Sequence, residues 1–265
     1  QILHLDHAST SKIISDHRIN HVLFTGSVSG GREVKKAIGT RFIGAGLELG
    51  GKDPSYVRSD CNFEHAIENL VDGSYFNSGQ SCCGIERIYV DESIFANFVD
   101  AFKAQTEKYT LDNPLNDSTN LGPVVKLSAA NNIRNQVAKA INEGAKNIID
   151  GSKFKKDNSE NCYVSPSALI NVNHKMEFMM EETFGPTVGI MKVKNEKDAE
   201  DLMNDSAYGL TASIWTSDKE FAANFGNKIQ TGTFFMNRCD YLDPGLAWTG
   251  AVSYTHLTLP TILPV

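Results

Sequence analysis

Short apolar runs alternate along this chain with stretches whose apolar residues return at every third or fourth position. The runs 21–25, 47–49, 55–57, 87–90, 168–172, 187–193, 212–216 and 233–237 are rich in β-branched and aromatic residues and predict strands. Between them, 64–75 places Ala66, Ile67, Leu70, Val71 and Tyr75 on one helical face. The same spacing groups Ile94, Phe95, Phe98, Val99 and Phe102 in 93–108, and Ile133, Val137, Ala140 and Ile141 in 127–142. In 218–229 it groups Phe221, Ala222, Phe225 and Ile229. These stripes are read as core. The segments 112–122 and 151–161, rich in Asn, Asp, Ser, Gly or Lys, read as loops. Strands alternating with helices predict an α/β fold with a mostly parallel sheet. The paired Gly50-Gly51 would let the chain leave one sheet and enter another, so a boundary is expected there, with 1–50 and 51–250 as separate domains.

Composition narrows the function classes. Of 265 residues, 25 are Lys or Arg and 32 are Asp or Glu, a net charge of −7 that repels phosphate backbones and argues against a nucleic-acid partner. No apolar stretch reaches the roughly 18 residues a membrane helix needs, so no membrane partner is expected. The first residues show neither the basic region nor the apolar run of a signal peptide. The cysteines, Cys61, Cys82, Cys83, Cys162 and Cys239, are odd in number and read as unbridged thiols in the cytoplasm. Adjacent Cys82 and Cys83 do not give zinc-ligand spacing, and no metal is expected. Residue 1 is Gln, and 252–261 reads VSYTHLTLPT, one reading frame of a transposon-based sequencing adapter. The tail 251–265 is therefore expected to be non-native, although Leu257 and Leu259 alternating with Thr would also suit a terminal strand.

Four stretches carry candidate chemistry. Phe24-Thr25-Gly26-Ser27, with Gly30-Gly31 and a helical run from Arg32, is a strand ending in glycines that open a helix. Such a turn can bind a dinucleotide, although the spacing is not GxGxxG and an ordinary strand-to-helix turn reads the same. Glu48 lies between Leu47 and Leu49, before Gly50-Gly51-Lys52. In an apolar site its pKa would rise toward that of a general base; at a strand end it would face solvent. Cys82 follows Asn77-Ser78-Gly79-Gln80-Ser81. It is a candidate nucleophile whose small neighbours would admit a substrate and leave backbone N–H groups for an oxyanion, or else a buried structural cysteine. Glu181-Glu182-Thr183-Phe184-Gly185-Pro186 could bond ribose hydroxyls or form a solvated turn.

Taken in order, FTGS, ELGGK, NSGQSC and EETFGP resemble the NAD(P)-dependent aldehyde dehydrogenase superfamily, and the resemblance runs from Ile19 to about Gly250. Tyr208-Gly209-Leu210-Thr211-Ala212 and Asn237 are further landmarks. The resemblance implies a three-layer αβα sandwich with a mostly parallel sheet: the remnant of a Rossmann-like cofactor domain followed by a catalytic domain. It implies Cys82 as nucleophile and Glu48 as the base that activates water. It implies NAD or NADP bound by Gly26, Ser27, Gly31, Leu49, Glu182 and Phe184, with Asn237 toward the substrate and Cys83 as a spectator. The substrate would be a small-molecule aldehyde, and the parent enzyme a homodimer or homotetramer. The family's oxyanion-hole Asn and its adenosine-ribose Lys would lie upstream of Gln1, so the chain alone is expected to be inactive. A CoA-acylating relative would have no need of Glu48, and a non-catalytic family member would have no need of Cys82 and Glu48 together.

Overall fold

Two sheets organise the protein in a computed structural model that describes residues 1–239 together with Gly245, Trp248 and Gly250. The expected non-native tail 251–265 lies outside the described residues. The first sheet is a parallel pair, β1 (His21–Thr25) and β2 (Gly44–Glu48), accompanied by helices α1 (His7–Ile14) and α2 (Val28–Ile38). The second has seven strands. In chain order its elements are β3 (Asp53–Val57), α3 (Phe63–Tyr75), β4 (Ile85–Asp91), α4 (Phe95–Thr106) and α5 (Leu127–Asn142). There follow β5 (Lys146–Asn147), β6 (Ser167–Ile170), α6 (Glu177–Met180) and β7 (Thr187–Val193). The last are α7 (Glu196–Asn204), β8 (Thr211–Trp215), α8 (Lys219–Gly226) and β9 (Thr233–Met236). The strand order is β5-β6-β7-β4-β3-β8-β9, and every pairing is parallel except that of β5 with β6.

Three layers follow from period-two burial. On β3 and β4, Val57, Ile88 and Val90 point to one face and pack with Leu70, Val71, Phe98 and Phe102 of α3 and α4. Tyr56 and Tyr89 point to the other face and meet Ala199 and Met203 of α7 and Ala222 and Phe225 of α8. Strands covered on both faces must be apolar on both, which is why they read as continuous runs rather than alternating ones.

Several elements differ from the sequence reading. Helix α2 starts at Val28 rather than Arg32, because the Ser27 side chain caps it by accepting from the Gly30 amide at 3.1 Å. Gly30 and Gly31 therefore lie within its first turn. In α5 the buried face is Ala130, Ile133, Gln136 and Ala140, while Ile141 is 43% exposed and does not belong to the stripe. Helix α7 has no pattern in the sequence: it buries only Ala199 and Met203, too few apolar positions to set a period, and is started by the Asn195 cap. Strand β5 is two residues long, too short for any pattern. No helix among the described residues is long and apolar enough to cross a membrane.

Candidate active site

Parallel strands share a direction, so the segments that precede them share an edge. The loops before β3, β4, β7 and β8 carry Gly50–Lys52, Cys82, Glu182 and Tyr208, and all open on the N-terminal edge of the larger sheet. The C-terminal ends of β1 and β2 meet them there. The result is a cavity of about 280 Å³ lined by Thr25, Gly26, Ser27, Glu48, Leu49, Gly50, Cys82, Glu182 and Phe184. A second cavity of about 360 Å³ shares Ser27 and Glu182 with the first and adds Val28, Ser29, Arg32, Glu181, Ala207 and Tyr208. The structure thus brings together Cys82, Glu48, Glu182, Phe184, Leu49, Gly26 and Ser27.

Close backbone approach explains the glycines in these motifs. A Cβ on Gly50 would lie 2.0 Å from a Glu182 carboxylate oxygen, and one on Gly51 would lie 2.2 Å from the Cys82 carbonyl oxygen. Gly79 has φ +70°, and a Cβ there would lie 2.0 Å from the Gly185 carbonyl oxygen. The three motifs are therefore packed against one another at the positions where side chains are missing.

The Cys82 loop is shaped by left-handed backbone at Asn77, Ser78 and Gly79 (φ 50°, 57° and 70°). Its polar side chains hold that shape. Asn77 Nδ2 donates to the Gln80 carbonyl and Gln80 Nε2 donates to the Asn77 carbonyl, both at 3.0 Å. The Ser78 hydroxyl donates to the Gly122 carbonyl at 2.9 Å, and Gln80 Oε1 accepts from the Val125 amide at 2.8 Å. The loop's amides are not all left for an oxyanion: that of Gln80 donates to Asn77 and that of Gly84 to Ser81.

Burial sets the electrostatics. Glu48 is pushed above the ordinary carboxylate range by burial, against a hydrogen bond with the Trp248 side chain. Glu182 is pushed up to about 7, first by burial and then by the neighbouring Glu86, although it accepts a hydrogen bond from the Gly51 amide at 2.8 Å. Tyr208 Oη stands 3.4 Å from the Glu182 amide nitrogen, which donates to it. Beneath the cleft, Lys52 Nζ lies 2.5 Å from Glu86 Oε2, and both residues are buried. Asp53, also buried, is raised well above the usual range by burial while accepting from the Thr211 amide at 3.2 Å and from its hydroxyl. The Arg87 guanidinium donates to the Lys52 carbonyl at 2.8 Å. Lys52, Asp53, Glu86 and Arg87 carry no signal of chemistry in the sequence. Lys52 ends the ELGGK motif and Asp53 follows it, but charge in or beside a strand ordinarily signals solvent.

Two residues expected at the site stand elsewhere. Gly31 does not line either cavity; it is buried in the first turn of α2, on the face packed against Leu49, where a Cβ would fall 2.7 Å from Leu49 Cδ2. Asn237 follows β9, at the C-terminal edge of the sheet and so on the far side from Cys82. Its amide group bonds the backbone of Thr216 in both senses: Nδ2 donates to the carbonyl at 2.9 Å and Oδ1 accepts from the amide at 3.0 Å. It ties two strand ends together instead of facing the cavity.

A model of the aldehyde dehydrogenase family matches residues 1–252. The chain belongs to the aldehyde dehydrogenase family. Among family members, the succinate semialdehyde dehydrogenase of Escherichia coli (strain K12) is 32% identical over 248 residues, 94% of this chain and 53% of that protein. The cytosolic aldehyde dehydrogenase 1 of Mus musculus is 35% identical over 226 residues, 84% of this chain and 44% of that protein. The structure of betaine aldehyde dehydrogenase from Staphylococcus aureus in complex with NAD+ is similar with a TM-score of 0.84 and 30% identity, covering 91% of this chain and 48% of that one. NADP-dependent glyceraldehyde-3-phosphate dehydrogenase from Bacillus halodurans C-125, complexed with NADP, gives 0.85 and 30%, covering 93% and 50%. The chain spans about half the length of these aldehyde dehydrogenases.

Proposed function

We propose that the protein oxidises an aldehyde to a carboxylic acid with NAD+ or NADP+, using Cys82 as nucleophile and Glu48 as general base. The observation that carries this reading is one cavity of about 280 Å³ lined by Cys82 together with Glu48 and Glu182, whose carboxyls are both raised by burial. In this reading residues 1–50 belong to a cofactor-binding domain and 51–250 to a catalytic domain, with the cleft where their two sheets meet.

The residues present fit a dinucleotide. The α2 N-terminus and Arg32 line the second cavity, where a pyrophosphate would find amide donors and positive charge. Glu182 lines both cavities and is an acceptor suited to ribose hydroxyls. Phe184, 41% exposed beside it, offers a flat apolar surface to a nicotinamide ring. Leu49, Gly26 and Ser27 would complete the floor. When bound, the cofactor supplies a hydride acceptor.

The chain's own groups account for the rest. The Cys82 thiolate adds to the aldehyde carbon, forming a C–S bond and a tetrahedral adduct on sulfur. Loss of hydride from that carbon restores the carbonyl as a thioester. Glu48, its proton affinity raised by burial, takes a proton from water as the water oxygen attacks the thioester carbon. The C–S bond then breaks, releasing the carboxylic acid and restoring Cys82. Family members named for succinate semialdehyde and betaine aldehyde oxidise those aldehydes; here the substrate class is a small aldehyde that fits the cavity lined by Cys82.

The test uses the complete protein with NAD+ or NADP+ and a panel of small aldehydes, reading reduced cofactor by absorbance. Wild type should reduce cofactor with at least one aldehyde, and Cys82→Ala should reduce none. Retained turnover in Cys82→Ala, or no reduction by wild type with any aldehyde, refutes the proposal.

A further inference from the structure

We propose that the buried Lys52–Glu86 pair is a positioning device that fixes the 182–184 segment and thereby sets how tightly a cofactor is gripped in the cleft. The second half of this statement rests on the reading of the cleft as a cofactor site. The first half rests on the hydrogen bonds alone.

Lys52 is 1% exposed and Glu86 5%. Two charges taken out of water are costly, and a well-packed apolar pair of similar size is commonly as stable or more so. Fold stability by itself therefore gives no reason for this pair. Its geometry does. The Glu86 carboxylate accepts from the Thr183 amide, at 2.9 Å to Oε2 and 3.2 Å to Oε1, and from the Phe184 amide at 3.0 Å. Lys52 Nζ donates to Glu86 Oε2 at 2.5 Å and to the Thr183 hydroxyl oxygen at 3.3 Å, and sits 5.2 Å from the centre of the Phe178 ring. The Thr183 hydroxyl in turn donates to Gln136 Oε1 at 2.8 Å, and Gln136 Nε2 donates to the Glu182 carbonyl at 3.4 Å.

Two consequences follow for the cleft. Phe184 holds φ 53°, a left-handed conformation that a bulky residue keeps only where its surroundings impose it. The Glu86 carboxylate on its amide is such a restraint. Glu182 is the next residue but one, and its carboxylate lies on the amide of Gly51, the neighbour of Lys52. Both walls that Glu182 spans are thus anchored to one ion pair. A carboxylate is the right acceptor for two amides, because bonds to an ionised group are about twice as strong as neutral ones. Lys52 Nζ adds a third donor to the same carboxylate.

The experiment compares wild type with Glu86→Gln and with the double variant Lys52→Met/Glu86→Gln, in the complete protein. The double variant leaves no unpaired buried charge, so it is expected to fold with a Tm close to wild type even if a single variant does not. A hydrogen bond to a charged group is worth roughly 10- to 100-fold in an equilibrium constant. In the unliganded protein, amide hydrogen exchange at Thr183 and Phe184 should speed up by that factor, while the amides of β3 and β4 keep their protection. Calorimetric titration with NAD+ and NADP+ should show a Kd weaker by roughly tenfold or more. Unchanged exchange at Thr183 and Phe184 in the folded double variant overturns the positioning role. Faster exchange there with an unaltered Kd overturns the link to cofactor grip. If wild type binds neither cofactor, the cofactor reading of the cleft fails, and the exchange result alone decides whether the pair positions the segment.

Discussion

Adding one methyl group at Gly51 should cripple the reaction without unfolding the protein. The Cβ of Gly51→Ala would lie 2.2 Å from the Cys82 carbonyl oxygen, where ordinary contact begins at 3.4 Å, so the two backbones must part by about 1.2 Å. Neither partner is the far end of a flexible side chain. Gly51 is tied to Glu182 through its amide, and the Cys82 loop is held by the Asn77–Gln80, Ser78–Gly122 and Gln80–Val125 bonds. The cost in stability should be about 1–3 kcal/mol, the usual scale for overpacking. The cost in rate should be larger, because a displacement of about 1 Å at a reacting atom is worth on the order of 100-fold. Gly50→Ala is the control: its Cβ meets the Glu182 carboxylate, the end of a side chain, and should weaken cofactor binding while leaving Cys82 in place. The assay is kcat/KM of the complete protein beside the rate at which iodoacetamide alkylates Cys82, followed on its peptide by mass spectrometry. Gly51→Ala should change both; Gly50→Ala should change only the first, through KM for the cofactor. A Gly51→Ala enzyme with wild-type kcat would refute the idea that this approach sets the thiol's position.

Glu48→Gln keeps the shape but removes the base, so steady-state turnover should fall by about 100-fold or more while an initial burst of reduced cofactor survives; full steady-state activity would take Glu48 out of the mechanism. Glu182 ionises near pH 7, so cofactor affinity measured by titration should rise as pH climbs through that value, and Glu182→Gln should flatten the profile. The same shift has a stability sign. Raised above its ordinary 4.5, Glu182 binds a proton more tightly folded than unfolded, so its contribution is fully present below about 4.5 and is lost as pH rises to about 7. Tm should therefore drop less over that window in Glu182→Gln than in wild type, and equal drops would contradict the assignment. Asn237→Ala should destabilise by about 2 kcal/mol, since it removes the side chain that bonds Thr216 and suits φ 55°, yet leave the KM for aldehyde unchanged; a raised KM would restore Asn237 to the substrate site.

What the sequence reveals of this fold depends on how local its causes are. The strands 21–25 and 187–193 and the helix 127–142 have the same bounds in the sequence reading and in the structure: both strands are short runs rich in β-branched and other apolar residues, and the long amphipathic helix repeats its period several times. Helix α7, with two buried residues, and strand β5, with two residues in all, give no period to read. The site divides in the same way. Cys82, Glu48 and Glu182 each also read as a structural or solvent-facing residue on its own, and become candidates only when their motifs are taken together. The reason for the glycines in those motifs is not local: Gly50 makes room for Glu182, Gly51 for Cys82, and Gly79 for Gly185. Glu86, with polar Ser, Gly and Arg nearby in the sequence, reads as surface until the fold sets Lys52 against it.

Asn237 shows that topology can correct such a reading before any side chain is placed. Cys82, Glu182 and Tyr208 each precede a strand of one parallel sheet, and residues that precede parallel strands lie along one edge. Glu48 joins them from the other sheet because it ends a strand that runs into that edge. Asn237 follows β9, which is parallel to β8, so it must lie on the opposite edge from Cys82. A polar residue at the end of a strand has two uses, to face a ligand or to tie down a neighbouring strand end. In a parallel sheet, which side of the strand it falls on decides between them, and for Asn237 the bonds to Thr216 agree with that choice.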